Sequence, residues 1–429
     1  MTLTQLPTDQ LSRYHEELRR DYAALQARGL ALDLTRGKPS AQQLDLSVPL
    51  LALPGPEQYL TREGADTRNY GGLRGLSELR EILSTLLQVP VETLVAFGNS
   101  SLELMHECLV HAVLFGVPGS QRPWGMGTGA AFLCPVPGYD RHFAICEKLG
   151  IDMITVPLTE AGPDMDEVER LVAAQPAIKG IWCVPKYSNP TGICYAEQTV
   201  ARLARMPTAA PDFRIFWDNA YAVHHLTEVR HEVADILGLA REAGHAERPL
   251  VFGSTSKITF AGAGVAFFGA SATNVDWLLG HLSKRTIGPD KVNQLRHAMF
   301  LRDATGVHAH MQRHRTLLRP KFDLVERTLN DHLGGSGVAR WTVPEGGYFV
   351  TVEVLDGCAS RVVELAAHAG IALTPAGAPF PYGTDPNDRV IRLAPTYPPL
   401  SELHEALHGF VLCVKLAATE RLLHARDGR

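Results

Sequence analysis

From about residue 75 to residue 320 the chain alternates between two apolar periodicities, a constraint that few folds satisfy. Short apolar runs of strand length give way to stretches with apolar residues three and four apart, and then the cycle repeats. Strands joined through helices run parallel, and parallel strands need cover on both faces, so the pattern predicts an α/β fold built on a mostly parallel sheet. Seven runs read as its strands: Leu94–Phe97, Ala131–Cys134, Met153–Val156, Gly180–Val184, Arg214–Trp217, Leu250–Gly253 and Val265–Gly269. Nearly all lead straight into polar residues or glycine, and in open α/β sheets the ligand lies beyond the carboxyl ends of the strands. The loops after these strands are therefore where chemistry is expected.

A chain of 429 residues exceeds what one ordinary core serves, which predicts two domains with a cleft between them. After residue 320 the runs Trp341–Val343, Tyr348–Val354 and Val390–Leu393 alternate with helical patterns, as in a smaller α+β domain. The expected division is a large domain over 45–320 and a small one formed by 1–44 with 321–429. Leu11, Tyr14, Leu18, Tyr22 and Leu25 predict a helix that starts at Thr8 and ends near Gly29. A last helix is expected from a Ser401 cap through Val414.

Charge and composition exclude several functions. The formal net charge of −5 leaves no basic surplus for a phosphate backbone or an anionic membrane, so neither nucleic acid nor membrane is expected as a partner. The seven cysteines are scattered, odd in number and without a C-x-x-C pair, which reads as reduced, buried small hydrophobes. The first residues lack a basic stretch followed by an apolar one, and no apolar run approaches the ~20 residues of a membrane span. These features predict a cytoplasmic protein.

Five strand-end loops carry residues with chemical potential. Ser254-Thr-Ser256-Lys257 puts a lysine among hydroxyls at a strand end, where a desolvated amine suits Schiff-base formation; alone, the same string describes a solvated loop lysine. Asp218-Asn-Ala-Tyr221 offers a carboxylate for a protonated ring nitrogen and a phenol for the neighbouring ring hydroxyl, or else a simple helix cap. Asn189-Pro-Thr-Gly192 is ordinary turn composition that becomes a ligand loop when it follows a strand. Gly98-Asn99-Ser100-Ser101 opens a helix whose free N–H groups and dipole favour an anion such as a phosphate; serine capping is the alternative. Tyr139, in Pro-Gly-Tyr139-Asp-Arg-His142, is either a ring for stacking on a planar ligand or a core tyrosine. Arg392, inside the apolar run Val390–Ala394, demands an anion, which a substrate α-carboxylate or a structural partner would supply. His308, His310 and His314 lie in a polar, arginine-rich helical stretch and are expected on a solvated face, with no metal bound.

The order of these motifs, with 29 residues from Asn189 to Asp218 and 39 from Asp218 to Lys257, resembles the fold-type I, class I/II aminotransferases that use pyridoxal phosphate (PLP). The resemblance covers the whole chain and is strongest to a divergent bacterial aspartate aminotransferase subgroup. It implies the PLP-dependent transferase fold, with Lys257 as the Schiff-base lysine, Asp218 as partner of the ring nitrogen, and Tyr221 and Asn189 as ligands of the ring hydroxyl. It implies that Ser100, Ser101, Ser254 and Ser256 hold the phosphate, that Tyr139 stacks on the ring, that His142 stands behind it beside Asp218, and that Arg392 binds the substrate carboxylate. Gly37, in Arg36-Gly-Lys-Pro39, matches a glycine loop that closes over substrate, and Tyr70 a tyrosine that reaches the phosphate of a neighbouring subunit, implying a homodimer with shared sites.

One element of the family pattern is absent: an arginine about eight residues past the lysine, where this chain reads Gly264-Val265. Either hydroxyls, the helix terminus and a residue such as Lys291 from another loop suffice in its place, or cofactor affinity is lower than usual in the family. The resemblance implies transamination between an L-amino acid, aspartate or another dicarboxylic acid, and a 2-oxo acid, with Lys257 as proton carrier. The same scaffold also serves β-lyases, racemases and non-catalytic effector domains. Arg36, Lys38, Arg68 and Arg141 are all candidates for a distal substrate carboxylate, and the sequence does not choose among them.

Overall fold

The computed structural model describes residues 2–127 and 129–427. Its main sheet has eight strands rather than seven, in the order Leu94–Ala96, Ala266–Gly269, Pro249–Ser254, Arg214–Asp218, Ile178–Cys183, Ala131–Val136, Asp152–Thr159 and Gly162–Pro163. All seven expected strands are present; the eighth is a two-residue hairpin return too short to leave a periodic signal. Five central strands run parallel, and Ala266–Gly269 runs antiparallel to both its neighbours. The strands Leu94–Ala96, Ala131–Val136, Ile178–Cys183, Arg214–Asp218 and Pro249–Ser254 consequently all release their carboxyl ends on one side of the sheet.

The two-residue period of a strand builds an aromatic ladder on one face. Trp124, Phe132, Phe216, Phe252 and Phe268 make successive edge or stacked contacts with ring centroids 5.4–5.9 Å apart. Each pair contributes about 0.5–1.5 kcal/mol beyond the apolar area it buries. Gly180 is required beneath this row, because a Cβ there would lie 2.4 Å from Phe132 Cζ. The same period carries the ladder into the loops: Asp218 and Ser254 lie two residues beyond Phe216 and Phe252, on the same face.

The C-terminal part forms a three-stranded antiparallel sheet, Ala339–Trp341, Val350–Val354 and Val390–Leu393, packed with the helices Ala359–His368 and Leu400–Asp427. The first helix, Thr8–Ala27, lies against Leu400–Asp427, and Leu32–Asp33 pairs in parallel with Ile371–Ala372, so the N-terminal segment packs with the C-terminal part. The last helix begins at Leu400, directly after Pro399, so Ser401 is inside it and is not its cap. A 30-residue helix, Ala304–Leu333, passes through position 320, where Pro320 sits within it. Contrary to the solvated face expected for the histidine stretch, His310 and His314 on this helix are buried, while His308 is half-buried. The helix lies beneath the Lys257 turn, and this contact is between segments too distant in sequence to leave a local pattern.

No helix among the described residues is long and apolar enough to cross a membrane, and no group of three or more His, Cys, Asp or Glu converges there as a metal site. All seven cysteines are free thiols, six of them buried.

Candidate active site

A cavity of about 640 Å³ opens beyond the carboxyl ends of the sheet. The strand-end loops form its floor, and residues from the N-terminal segment and the C-terminal sheet form its other wall. Eleven expected residues line it: Gly37, Ser100, Ser101, Tyr139, Asn189, Asp218, Tyr221, Ser254, Ser256, Lys257 and Arg392. Tyr70 does not. Its side chain is 80% exposed and stands outside its own cavity.

Asp218 is buried and bonded on one side only. Its Oδ2 is 3.0 Å from His142 Nε2, whereas Oδ1 has no hydrogen-bond partner. His142 is fixed in turn by stacking on Trp182, with centroids 4.2 Å apart and planes 8° from parallel, so the aromatic ladder ends by orienting the carboxylate. Leaving a buried carboxylate oxygen unpaired costs about 1–3 kcal/mol or more. The fold holds that oxygen toward a cavity, ready for a cationic N–H.

The Lys257 amine lies 5.1 Å from the centre of the buried Tyr221 ring. Desolvation pulls its pKa below the usual lysine value, opposed by the Asp218 charge. Burial pushes the Tyr221 phenol well up, as it does the Tyr139 phenol, so both are neutral O–H groups at neutral pH. Tyr139 meets His142 edge-on at 4.9 Å.

A cup of hydroxyls forms where two loops meet. Ser254 Oγ donates to Ser256 Oγ at 3.1 Å, and Ser256 Oγ donates to the Asn99 carbonyl at 3.2 Å. Ser100 caps the helix Ser101–Phe115 by position, but its side chain makes no capping bond, which leaves its hydroxyl and the first helical N–H groups free for an anion. The position of the absent family arginine is taken by Val265, which is buried. Lys291 does not replace it: its Nζ donates to the Tyr70 carbonyl at 3.1 Å, and it does not line the cavity.

On the opposite wall, Arg392 Nη1 donates to Asp140 Oδ1 at 2.9 Å and to Asn189 Oδ1 at 3.3 Å, while Nε has no partner. Its guanidinium lies 4.9 Å from the centre of the Phe349 ring. That ring explains Gly37, since a Cβ at 37 would lie 2.2 Å from Phe349 Cζ. Because Asn189 uses its oxygen on Arg392, its amide N–H groups remain for a ligand. Of the four candidates for a distal carboxylate, Arg36 and Arg141 line the cavity. Lys38 instead sits over the Tyr397 ring, and Arg68 is held by Asp66 and stacked on Tyr59.

Sequence reasoning missed Thr35, Asp140, Phe349 and Thr374 as lining residues. Asp140 stood inside a motif already singled out, and a carboxylate next to an aromatic at a strand end was its only signal. Phe349 and Thr374 had none, because they enter the cavity through the packing of distant segments.

The family described as aspartate amino-transferase matches residues 6–426. An aspartate aminotransferase of Corynebacterium glutamicum is 50% identical, over 98% of this chain and 97% of that protein. A relative from Mycolicibacterium smegmatis, described no more finely than as an aminotransferase, is 57% identical over 99% of both chains. The crystal structure of an aspartate transaminase from Corynebacterium glutamicum superposes with a TM-score of 0.96 at 50% identity, covering 98% of this chain and 99% of that one. At 22% identity, the Thermus thermophilus α-aminoadipate aminotransferase LysN, complexed with N-(5'-phosphopyridoxyl)-L-leucine, shares the fold with a TM-score of 0.73.

Proposed function

The chain belongs to the aspartate aminotransferase family and is an aminotransferase, and we propose that it uses PLP to transfer an amino group between a dicarboxylic L-amino acid, such as aspartate, and a 2-oxo acid. The observation that carries the cofactor reading is Asp218 Oδ1, a buried carboxylate oxygen without a protein partner that faces a cavity holding a desolvated lysine. A pyridinium N–H satisfies that oxygen, so the residues present fit the group. Lys257 would hold the cofactor's aldehyde carbon, Asn189 and Tyr221 its ring hydroxyl, and Ser100, Ser101, Ser254 and Ser256 its phosphate, with Tyr139 beside the ring. When bound, PLP supplies the electron sink that makes the substrate Cα proton removable.

The chain's own residues have distinct tasks. Arg392 binds the α-carboxylate through the guanidinium edge not used on Asp140 and Asn189. Lys257 Nζ, whose pKa burial lowers against the pull of Asp218, is the amine placed to take the Cα proton. Asp218, anchored by His142, keeps the ring nitrogen protonated. Arg36 or Arg141 receives the second carboxylate of a dicarboxylic substrate. Tyr70 serves the site of a second copy in a homodimer, consistent with its exposure outside its own cavity. We further propose a cytoplasmic location and a large domain over 45–320, with 1–44 and 321–429 forming the small one and the helix Ala304–Leu333 bridging the two.

The test is the visible absorption spectrum of the purified protein before and after L-aspartate or L-glutamate is added. Conversion of a pyridoxal band to the pyridoxamine form by one of them supports both cofactor and substrate class. No band after PLP is supplied refutes the cofactor reading, and a band that neither amino acid converts refutes the dicarboxylic preference.

A further inference from the structure

The histidines of the helix Ala304–Leu333 sit directly under the active-site lysine. His310 Nε2 is 2.7 Å from the carbonyl of Ile258, the residue after Lys257. On its other side, Arg313 Nη2 lies 2.9 Å from His310 Nδ1. A guanidinium nitrogen only donates, so Nδ1 accepts and the His310 proton is on Nε2, aimed at the Ile258 carbonyl. Ser47 Oγ is 3.2 Å from the same His310 Nε2, and His314 Nε2 lies 3.1 Å from it.

The His314 tautomer follows from Gln43. The Gln43 side-chain oxygen accepts the Ser40 backbone N–H at 3.1 Å, so its amide nitrogen faces the other way, donating to Tyr348 Oη at 2.9 Å and to His314 Nδ1 at 3.1 Å. His314 Nδ1 therefore accepts and its proton is on Nε2, so the 3.1 Å approach of the two Nε2 atoms is a packing contact between the rings, which meet edge-on with centroids 4.8 Å apart, and not a hydrogen bond. His224 adds a third imidazole, its Nε2 lying 3.3 Å from the carbonyl of Lys257 itself. Burial depresses the pKa values of all three, so they are neutral near neutral pH. Arg313 reinforces this for His310 and His314, and Lys257 does so for His224.

The chain of contacts spans two walls of the cavity. Gln43 follows directly on the segment that carries Thr35, Arg36 and Gly37, with Ser40 capping its short helix Ala41–Asp45. Tyr348 precedes Phe349, the ring against which Gly37 packs. Buried polar groups that hydrogen-bond to one another and to the backbone restrict the arrangements that backbone can take.

We infer that His310 and His314 are positioning residues for Lys257: with Gln43 they tie the loop 35–40 to the turn that presents the lysine amine. The inference rests on the proposed role of Lys257. Without the His310 donor the Ile258 carbonyl loses its hydrogen bond, and the turn, which keeps only His224 Nε2 at the Lys257 carbonyl and the Ile258 and Thr259 N–H bonds to Thr255 O, is free to shift. A misplacement near 1 Å at a reacting group costs up to about 10²-fold in rate.

Two amide substitutions separate positioning from bulk stability. In His310→Gln the amide nitrogen reaches the place of Nε2 and restores the donor; in His310→Asn it is too short to do so. Both variants and the wild type are compared as holoenzymes for kcat, KM and the pH midpoint of the cofactor's visible band, and by deuterium exchange of residues 254–260. The expected result is that Asn lowers kcat about tenfold with little change in KM, shifts the band midpoint and speeds exchange in the turn, while Gln recovers all three. Wild-type kcat and band midpoint in the Asn variant, or equal defects in Asn and Gln, overturn the inference. A wild-type protein with no band would count against the cofactor reading instead, because the exchange comparison needs no cofactor.

Discussion

Replacing Asp218 by Asn isolates the charge at the cavity floor from the shape around it. The amide is isosteric and its oxygen still accepts from His142, which lies 3.0 Å from Oδ2 in the native protein. What is lost is the anionic oxygen Oδ1, which has no protein partner and which we assign to the cofactor nitrogen. Asp218 is only 3% exposed, so this is a buried pair, and breaking such a pair costs about 3–5 kcal/mol. At 1.36 kcal/mol per tenfold, the turnover of Asp218→Asn should fall by roughly 10²- to 10⁴-fold. The free protein should respond in the opposite sense. Without cofactor, Oδ1 of the native carboxylate is desolvated and unpaired, while the His142 bond on Oδ2 survives in the amide, so the cofactor-free variant should unfold at the same temperature as wild type or a higher one. Single-turnover kinetics with L-aspartate and thermal unfolding of the cofactor-free protein read the two effects separately. Turnover within tenfold of wild type, or a large loss of cofactor-free stability, would refute the argument, the first by removing the charge from the chemistry and the second by making it structural.

Other consequences are equally direct. Gly37→Ala should raise KM and lower kcat/KM by at least about tenfold, because its Cβ would overlap the Phe349 ring beneath Arg392; unchanged kinetics would mean that the loop is free to retreat. Asp140→Asn keeps an acceptor for Arg392 Nη1 but removes a negative charge beside the incoming carboxylate, so KM for the oxo acid should drop about fivefold at similar kcat, the screening of a side chain 31% exposed included; a higher KM would make Asp140 an anchor and nothing more. His310 and His314, with pKa values depressed from 6.5 to about 4 and about 3, favour the folded state above pH 6.5, and this contribution is lost as pH falls, because the unfolded chain takes up protons first. At pH 5, still above both folded values, each costs about 2 kcal/mol, 1.5 pH units at 1.36 kcal/mol, so denaturant unfolding should show a loss of at least about 4 kcal/mol between pH 7 and pH 5, to which the buried His224 adds in the same direction, and a flat profile would contradict their burial. Finally, mixing Tyr70→Phe with Lys257→Ala after partial unfolding and reassociation should restore activity above that of either variant alone, if Tyr70 serves a second copy's site; no gain in a mixture shown to form hybrids would return Tyr70 to a role within its own chain.

The strand-end chemistry was readable because it is local. A strand followed by a polar turn leaves a period-two apolar run that ends abruptly, and this is why Asn189, Asp218, Lys257 and Ser100 were found one loop at a time and then converged in a single cavity. Arg392 was readable for a related reason, as a charge inside an apolar strand that has to meet an anion. Element lengths were less legible: the hairpin return at Gly162–Pro163 is too short for periodicity, and the last helix starts directly after Pro399, ahead of the expected cap at Ser401.

Whatever joins residues far apart in sequence was decided by tertiary structure alone. His310 and His314 looked like a solvated face because their neighbours are arginines and a glutamine; they are buried because the helix carrying them lies against the turn after Lys257, and nothing within a helical window encodes that contact. The same holds for Phe349 against Gly37, and for Lys291, spent on a carbonyl of the Tyr70 loop rather than placed in the cavity. By itself the sequence determined which loops carry chemistry and in what order, because hydrophobic period and turn composition act over a few residues. Which of those side chains are desolvated, paired or left with an open valence depended on packing between distant segments, since burial is a property of the assembled interior.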